Sequence, residues 1–139
     1  MLRLLIVDGQ GGGIGRALVE AVRTAKLDCE ITAVGANTAA TAAMLKAGAD
    51  QGATGENAVI VQSRQADVIV GPIGLVLADA MLGEITPAMA AAVGQSSAAR
   101  VLLPSDRCST LVAGTSPMTR RQLVDEAVRL TLQICEPTA

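Results

Sequence analysis

The chain has 139 residues, half of them apolar and 17% charged, with a net charge of -2. That length suits one domain with a real core, and the charge excludes the basic footprint of a nucleic-acid binder. There is no His, Tyr, Trp or Phe, which removes the commonest general acid–base, the commonest metal ligand and every aromatic stacking platform.

Residues 4–7, Leu-Leu-Ile-Val, have the length and bounds of a buried strand. Glycines follow at 9, 11, 12, 13 and 15, and Ile14, Leu18, Val19 and Val22 then recur at helical spacing. Strand, glycine turn and helix within about 20 residues form the opening of a dinucleotide-binding βαβ unit. Glycine lets a backbone approach a phosphate and adopt positive φ, and the helix start supplies N–H donors and a partial positive charge. Asp8, Gly9, Gln10, Gly11, Gly12, Gly13, Ile14 and Gly15 are therefore the candidate phosphate loop. The spacing, Gly-x-x-x-Gly-x-Gly, departs from Gly-x-Gly-x-x-Gly. It resembles the short-chain dehydrogenase/reductase fingerprint Thr-Gly-x-x-x-Gly-Ile-Gly, with Asp8 in place of the threonine. That family's catalytic Tyr-x-x-x-Lys cannot exist in a chain without tyrosine, so its hydride-transfer chemistry is not expected here.

A second strand is expected at 30–34, ending at Gly35-Ala36-Asn37-Thr38. An NAD-type unit places an Asp or Glu there for the ribose, or an Arg for a 2′-phosphate; this chain offers neither, only Asn37 and Thr38, so Asp8 and Asn37 are expected near a sugar, with Asp8 accepting ligand hydroxyls or orienting the glycine loop. Thr38 or Asn37 caps a helix running to Ala47, with Gly48 beyond it. Residues 48–57 read as a polar, glycine-punctuated loop, and 58–65 as a helix capped by Thr54. The third strand is 66–71. It runs into Gly71, Pro72, Ile73 and Gly74, a second glycine turn and a further part of the candidate cofactor site. An apolar helix at 75–82 is expected next, buried in the core or against another subunit. Thr86-Pro87 starts another helix, with the threonine as cap and the proline in the first turn; it ends near 94–97. A fourth strand at 100–104 is followed so closely by 110–114 that no parallel crossover fits between them. The second of the pair, if a strand, is an antiparallel edge. Thr119 to Gln122 form a capping box for a last helix that buries Leu123, Val124, Ala127, Val128, Ile134 and Cys135.

The expected fold is thus α/β: a three-layer Rossmann-like domain with a mostly parallel sheet of about five strands and an antiparallel edge strand. Ligands in such sheets sit outside the carboxyl ends of the strands. That rule gathers 8–15, 35–38, 71–74 and 105–108 at one edge, with 52–57 in reach. Their polar members are Asp8, Gln10, Asn37, Thr38, Glu56, Asn57, Asp106, Arg107 and Cys108. Glu84 and Asp79 read as solvated or capping groups, and Met44, Met81 and Met89 as core filler.

Taken together, Asp8-Gly-Gln-Gly-Gly-Gly-Ile-Gly15, Gly52-Ala-Thr-Gly-Glu-Asn57, Gly71-Pro-Ile-Gly74, Gly83-Glu-Ile-Thr-Pro87 and the Pro104…Arg107-Cys108 stretch resemble a small bacterial family catalogued only as a domain of unknown function. The resemblance spans nearly the whole chain. It implies a self-contained Rossmann-like unit and supplies no activity.

Two chemistries remain for Cys108, beside Asp106 and Arg107. A neighbouring guanidinium favours the thiolate, making a nucleophile, redox sensor or soft-metal ligand; alternatively Cys108 is a small apolar plug and Arg107 an anion clamp. The other cysteines, Cys29 and Cys135, are widely spaced and read as free thiols. The leading expectation is a binding protein for a phosphate-bearing nucleotide, above all a dinucleotide such as NAD(P), with no metal, no nucleic-acid partner and a homo-oligomeric, dimeric state. The alternatives are a Cys108-dependent enzyme or soft-metal protein, and a structural or regulatory subunit docking through helix 75–82. The apolar stretch between Arg3 and Asp8 is shorter than a signal-peptide core. The longest apolar run, 68–78, is too short and broken to span a bilayer. A cytoplasmic, membrane-free protein is expected.

Overall fold

The computed structural model describes residues 1–104 and 109–136. Five strands, β1 (Leu2–Asp8), β2 (Cys29–Gly35), β3 (Gln51–Thr54), β4 (Val68–Pro72) and β5 (Ala99–Leu103), form one sheet in the order β3-β2-β1-β4-β5. Every pairing is parallel, β1 lying against β2 from Leu2↔Cys29 to Asp8↔Gly35 and against β4 from Leu4↔Val68 to Ile6↔Val70. The connecting helices are α1 (Gly13–Thr24), α2 (Thr38–Ala47), α3 (Glu56–Gln65) and α4 (Pro87–Gln95), with α5 (Arg120–Cys135) after β5.

The layers follow from the strand sequences. β1 and β4 are apolar on both faces, as strands covered on both sides must be. Leu4 and Ile6 meet Leu18, Val22, Met44, Val124 and Val128 from α1, α2 and α5 on one face. Leu5, Val7 and Ile69 meet Val59, Met89 and Val93 from α3 and α4 on the other. Side-chain capping sets the starts of α2, α4 and α5 as the sequence indicates, whereas α3 begins after Gly55 with no side-chain cap, not at the expected cap Thr54. Asn37 Oδ1 accepts from the Ala40 N–H, and Thr86 caps α4 ahead of Pro87. Thr119 and Gln122 satisfy each other's backbone in a complete capping box.

Three expectations are corrected. Residues 51–54, read as loop, form edge strand β3; all four are exposed, so no apolar alternation marks them. Residues 75–82 are not a helix. A 3₁₀ turn (Ile73–Val76) gives way to a chain of tight turns in which Asp79, Met81, Leu82 and Gly83 all take positive φ. The segment spans between two core anchors, Leu75 and Ile85, each 1% exposed. Its short internal bonds, such as Asp79 N–H to the Ile85 carbonyl (2.7 Å), replace the helical ladder. Residues 110–114 form no strand, so the sheet has no antiparallel edge among the described residues. Leu111 is 90% exposed, so no side-chain burial favours pairing it against β5. No helix among the described residues is long and apolar enough to cross a membrane.

Candidate functional site

The strand order reverses between β1 and β4, the connections from β1 leading one way and those from β4 the other. At such a switch point a crevice opens at the carboxyl ends of the strands. Here a cavity of about 290 Å³ is lined by residues 8–14, Pro72, Met81, Leu82 and Arg120.

Asp8, at the end of β1, is 4% exposed. Its Oδ1 accepts from the Gly9 N–H (2.8 Å) and its Oδ2 from the Gly15 N–H (2.6 Å), so one carboxylate ties both ends of the glycine loop together. Gly15 leaves room for it, since a Cβ there would stand 2.9 Å from the Asp8 Cβ and 2.5 Å from Met44 Sδ. Gly12, the residue before α1, holds φ +73, and a Cβ there would meet the Ala40 backbone at 2.8 Å. Both positions therefore demand glycine.

Glu84 is the second acid on the loop, and it corrects the reading of it as a solvated or capping group. It is half-buried; Oε1 accepts from the Gln10 N–H (2.6 Å) and Oε2 from Asn37 Nδ2 (2.6 Å). Asn37 Nδ2 also donates to the Gln10 carbonyl (2.7 Å), while its Oδ1 caps α2. Asn37 is thereby spent on the loop rather than offered to a sugar.

Two acids thus engage Gly9, Gln10 and Gly15, and the Gly12 N–H donates to the Gly9 carbonyl. Gly11, Gly13 and Ile14 keep N–H groups that bond nothing among the described residues. Arg120, in the first turn of α5, faces them: a Cβ on Gly13 would lie 3.0 Å from Arg120 Nη1. Its guanidinium makes no hydrogen bond or ion pair among the described residues. Burial pushes the Asp8 carboxyl above its ordinary range; the Gly15 and Gly9 N–H groups and then Arg120 pull it back, and Glu84 adds to the rise.

Of the residues expected from sequence, 8–14 and Pro72 line the cavity, and Gly15 and Asn37 support it through hydrogen bonds. Thr38, Gly71, Ile73 and Gly74 lie off it. Asp106, Arg107 and Cys108 are outside the described residues. Cys29 is buried and Cys135 half-buried, both as free thiols, and burial raises the pKa of each. Met44 and Met89 are core, as expected, whereas Met81 lines the cavity. Sequence reasoning missed Met81, Leu82 and Arg120. Arg120 did carry a signal: Arg120 and Arg121 occupy a helical first turn that has no acid, where the helix dipole disfavours cations.

The fold is that of a Rossmann-like α/β domain. The chain belongs to the family described as "Domain of unknown function (DUF3842)", which it matches over residues 3–136. No curated protein matches the sequence. Among solved structures it is similar to a dodecameric FMN-dependent UbiX-like decarboxylase from Escherichia coli O157:H7, at 18% identity and TM-score 0.49, over 94% of this chain and 93% of that one. It is also similar to AibC, at 19% identity and TM-score 0.50, over 95% of this chain but 38% of that one. At these identities the likeness is one of fold.

The expectation of a generic NAD(P) binder is overturned. In the structure, Asn37 is consumed by Gln10 and Glu84, and a carboxylate sits on the loop's Gln10 donor. The short-chain dehydrogenase likeness of the loop has no support in these comparisons, and Asp8, where that fingerprint has threonine, serves as a strap across the loop.

A raised folded-state pKa means that ionising Asp8 costs stability. The wild-type contribution is complete below the ordinary carboxylate pKa and is lost as pH rises through the raised value. Asp8→Asn should be destabilised by about 1–3 kcal/mol at low pH, because the amide nitrogen cannot accept one of the two backbone bonds. Urea denaturation should show the gap to wild type narrowing as pH rises through that window; a constant gap contradicts the assignment.

Proposed function

We propose that the cavity binds the anionic group of a small molecule, a phosphate or a carboxylate, and that the chain is a ligand-binding protein acting through this site. The observation that carries the reading is the Arg120 guanidinium, unpartnered among the described residues, opposite the unbonded N–H groups of Gly11, Gly13 and Ile14. Helix-start donors and one cation are the usual composition of an anion site. All the carboxylate oxygens of Asp8 and Glu84 are engaged by loop and Asn37 donors, so the two acids shape the loop rather than fill the cavity. At about 290 Å³ the space lies at the small end of ligand pockets, which suits one anionic group and a compact body. A phosphomonoester such as FMN falls within this class.

Calorimetric titration with inorganic phosphate should give saturable binding that weakens as salt is raised. Arg120→Gln should reduce the affinity about tenfold or more, the worth of a hydrogen bond to a charged group. Unchanged phosphate affinity in this variant would refute the site.

Self-association belongs to the same reading. Leu111, Met118 and Leu130 are exposed beside β5 and α5, where two apolar grooves share Leu103, Pro104, Met118 and Leu123. Exposed apolar side chains gathered along grooves mark an interaction surface. Light scattering should report a multiple of 14.0 kDa, returned toward the single-chain mass by Leu111→Glu with Met118→Glu; a wild-type single-chain mass at all concentrations contradicts it.

A further inference from the structure

The cavity is chemically divided. Its lining has two parts, the glycine loop with Arg120 and an apolar wall of Pro72, Met81 and Leu82. Leu82 stands out on that wall. It is 98% exposed, the highest value among the large hydrophobic side chains of the described residues. Its backbone holds φ 57, next to Met81 at φ 59 and a short step beyond Asp79 at φ 67.

A left-handed leucine is strained, and a leucine wholly in water gains nothing from burial. The span between the anchors Leu75 and Ile85 accounts for the turns, but not for a leucine at this exposed, left-handed position. The segment is nonetheless held in place. Glu84 ties it to Gln10 and Asn37, and Met81 Sδ lies so near the loop that a Cβ on Gly9 would meet it at 2.6 Å. Strain that the surroundings impose at the rim of a cavity points to function rather than accident.

We infer that the ligand is an anion joined to an apolar body, with Met81 and Leu82 the side chains that cover that body. This rests on the anion-binding reading above and adds the substrate class: an ester or acid carrying a hydrocarbon or aromatic group, in preference to a bare inorganic or fully polar anion. The glycine loop and Arg120 take the charge. The segment 77–86, fixed through Glu84, presents Leu82 where the uncharged part of the ligand leaves the loop. Burying the leucine against that part recovers the apolar contact that the unliganded protein forgoes.

The test compares phenyl phosphate with inorganic phosphate by calorimetry, in the wild type and in Leu82→Gly. Glycine accepts the left-handed backbone without penalty, so this variant should fold with unchanged or higher thermal stability. Met81→Ala serves as the second variant. The wild type should bind phenyl phosphate about tenfold or more tightly than phosphate, as burial of one large apolar side chain allows. Leu82→Gly should remove most of that preference, with Met81→Ala acting in the same direction. Equal affinities in the wild type, or a preference that survives both variants, would overturn the covering role while leaving the anion site standing. Failure of both compounds to bind would overturn the anion site and this inference together.

Discussion

The site depends on one carboxylate. Asp8 reaches from the end of β1 to the N–H groups at both ends of the glycine loop, in a place nearly shut off from water. The charged form loses hydration there, which is why its pKa rises. The two backbone bonds recover part of that loss and fix the loop's width at the same time. Gly15 must lack a side chain for the carboxylate to fit, and Gly12 must turn left-handed for α1 to start beneath it. From these constraints it follows which N–H groups remain open.

Those open groups separate this loop from a dinucleotide-binding one. In the pyrophosphate-binding turn the early loop N–H groups and the helix start converge on the ligand. Here Glu84 takes the Gln10 donor and Asn37 is turned inward to bridge Gln10 and Glu84. What is left is a compact set, Gly11, Gly13 and Ile14 with Arg120 beside them, which on the proposed reading takes one anionic group rather than two. Arg120 stands at a position that the α5 dipole disfavours. A cation placed there against its own helix is better explained by what faces it than by the stability of the helix.

The central strands, the glycine turn and the helix caps were legible in the sequence because each has a local cause. Residues 4–7 of β1 and 68–70 of β4 are unbroken apolar runs, and Thr86-Pro87 and Thr119 to Gln122 have cap chemistry within four residues. The short strand β3 was not legible, because Gln51–Thr54 is held by the neighbouring edge of β2 and buries nothing. Nor were the turns in place of the expected 75–82 helix: the composition there is that of a helix, and the need to anchor both Leu75 and Ile85 in the core converts it to turns. The glycine loop half of the cavity could be read as a contiguous motif. Glu84, Leu82 and Arg120 arrive from much later in the sequence, brought to the loop by the fold.

The most direct test of the account is a nitrogen–proton correlation spectrum of the labelled protein titrated with inorganic phosphate. The account predicts that the largest shifts fall on the backbone amides of Gly11, Gly13 and Ile14 and on the side-chain Nε of Arg120, with Gly9 and Gly15, held by Asp8, moving far less. Shifts that leave these groups unmoved, or that centre on residues remote from the glycine loop, would contradict it.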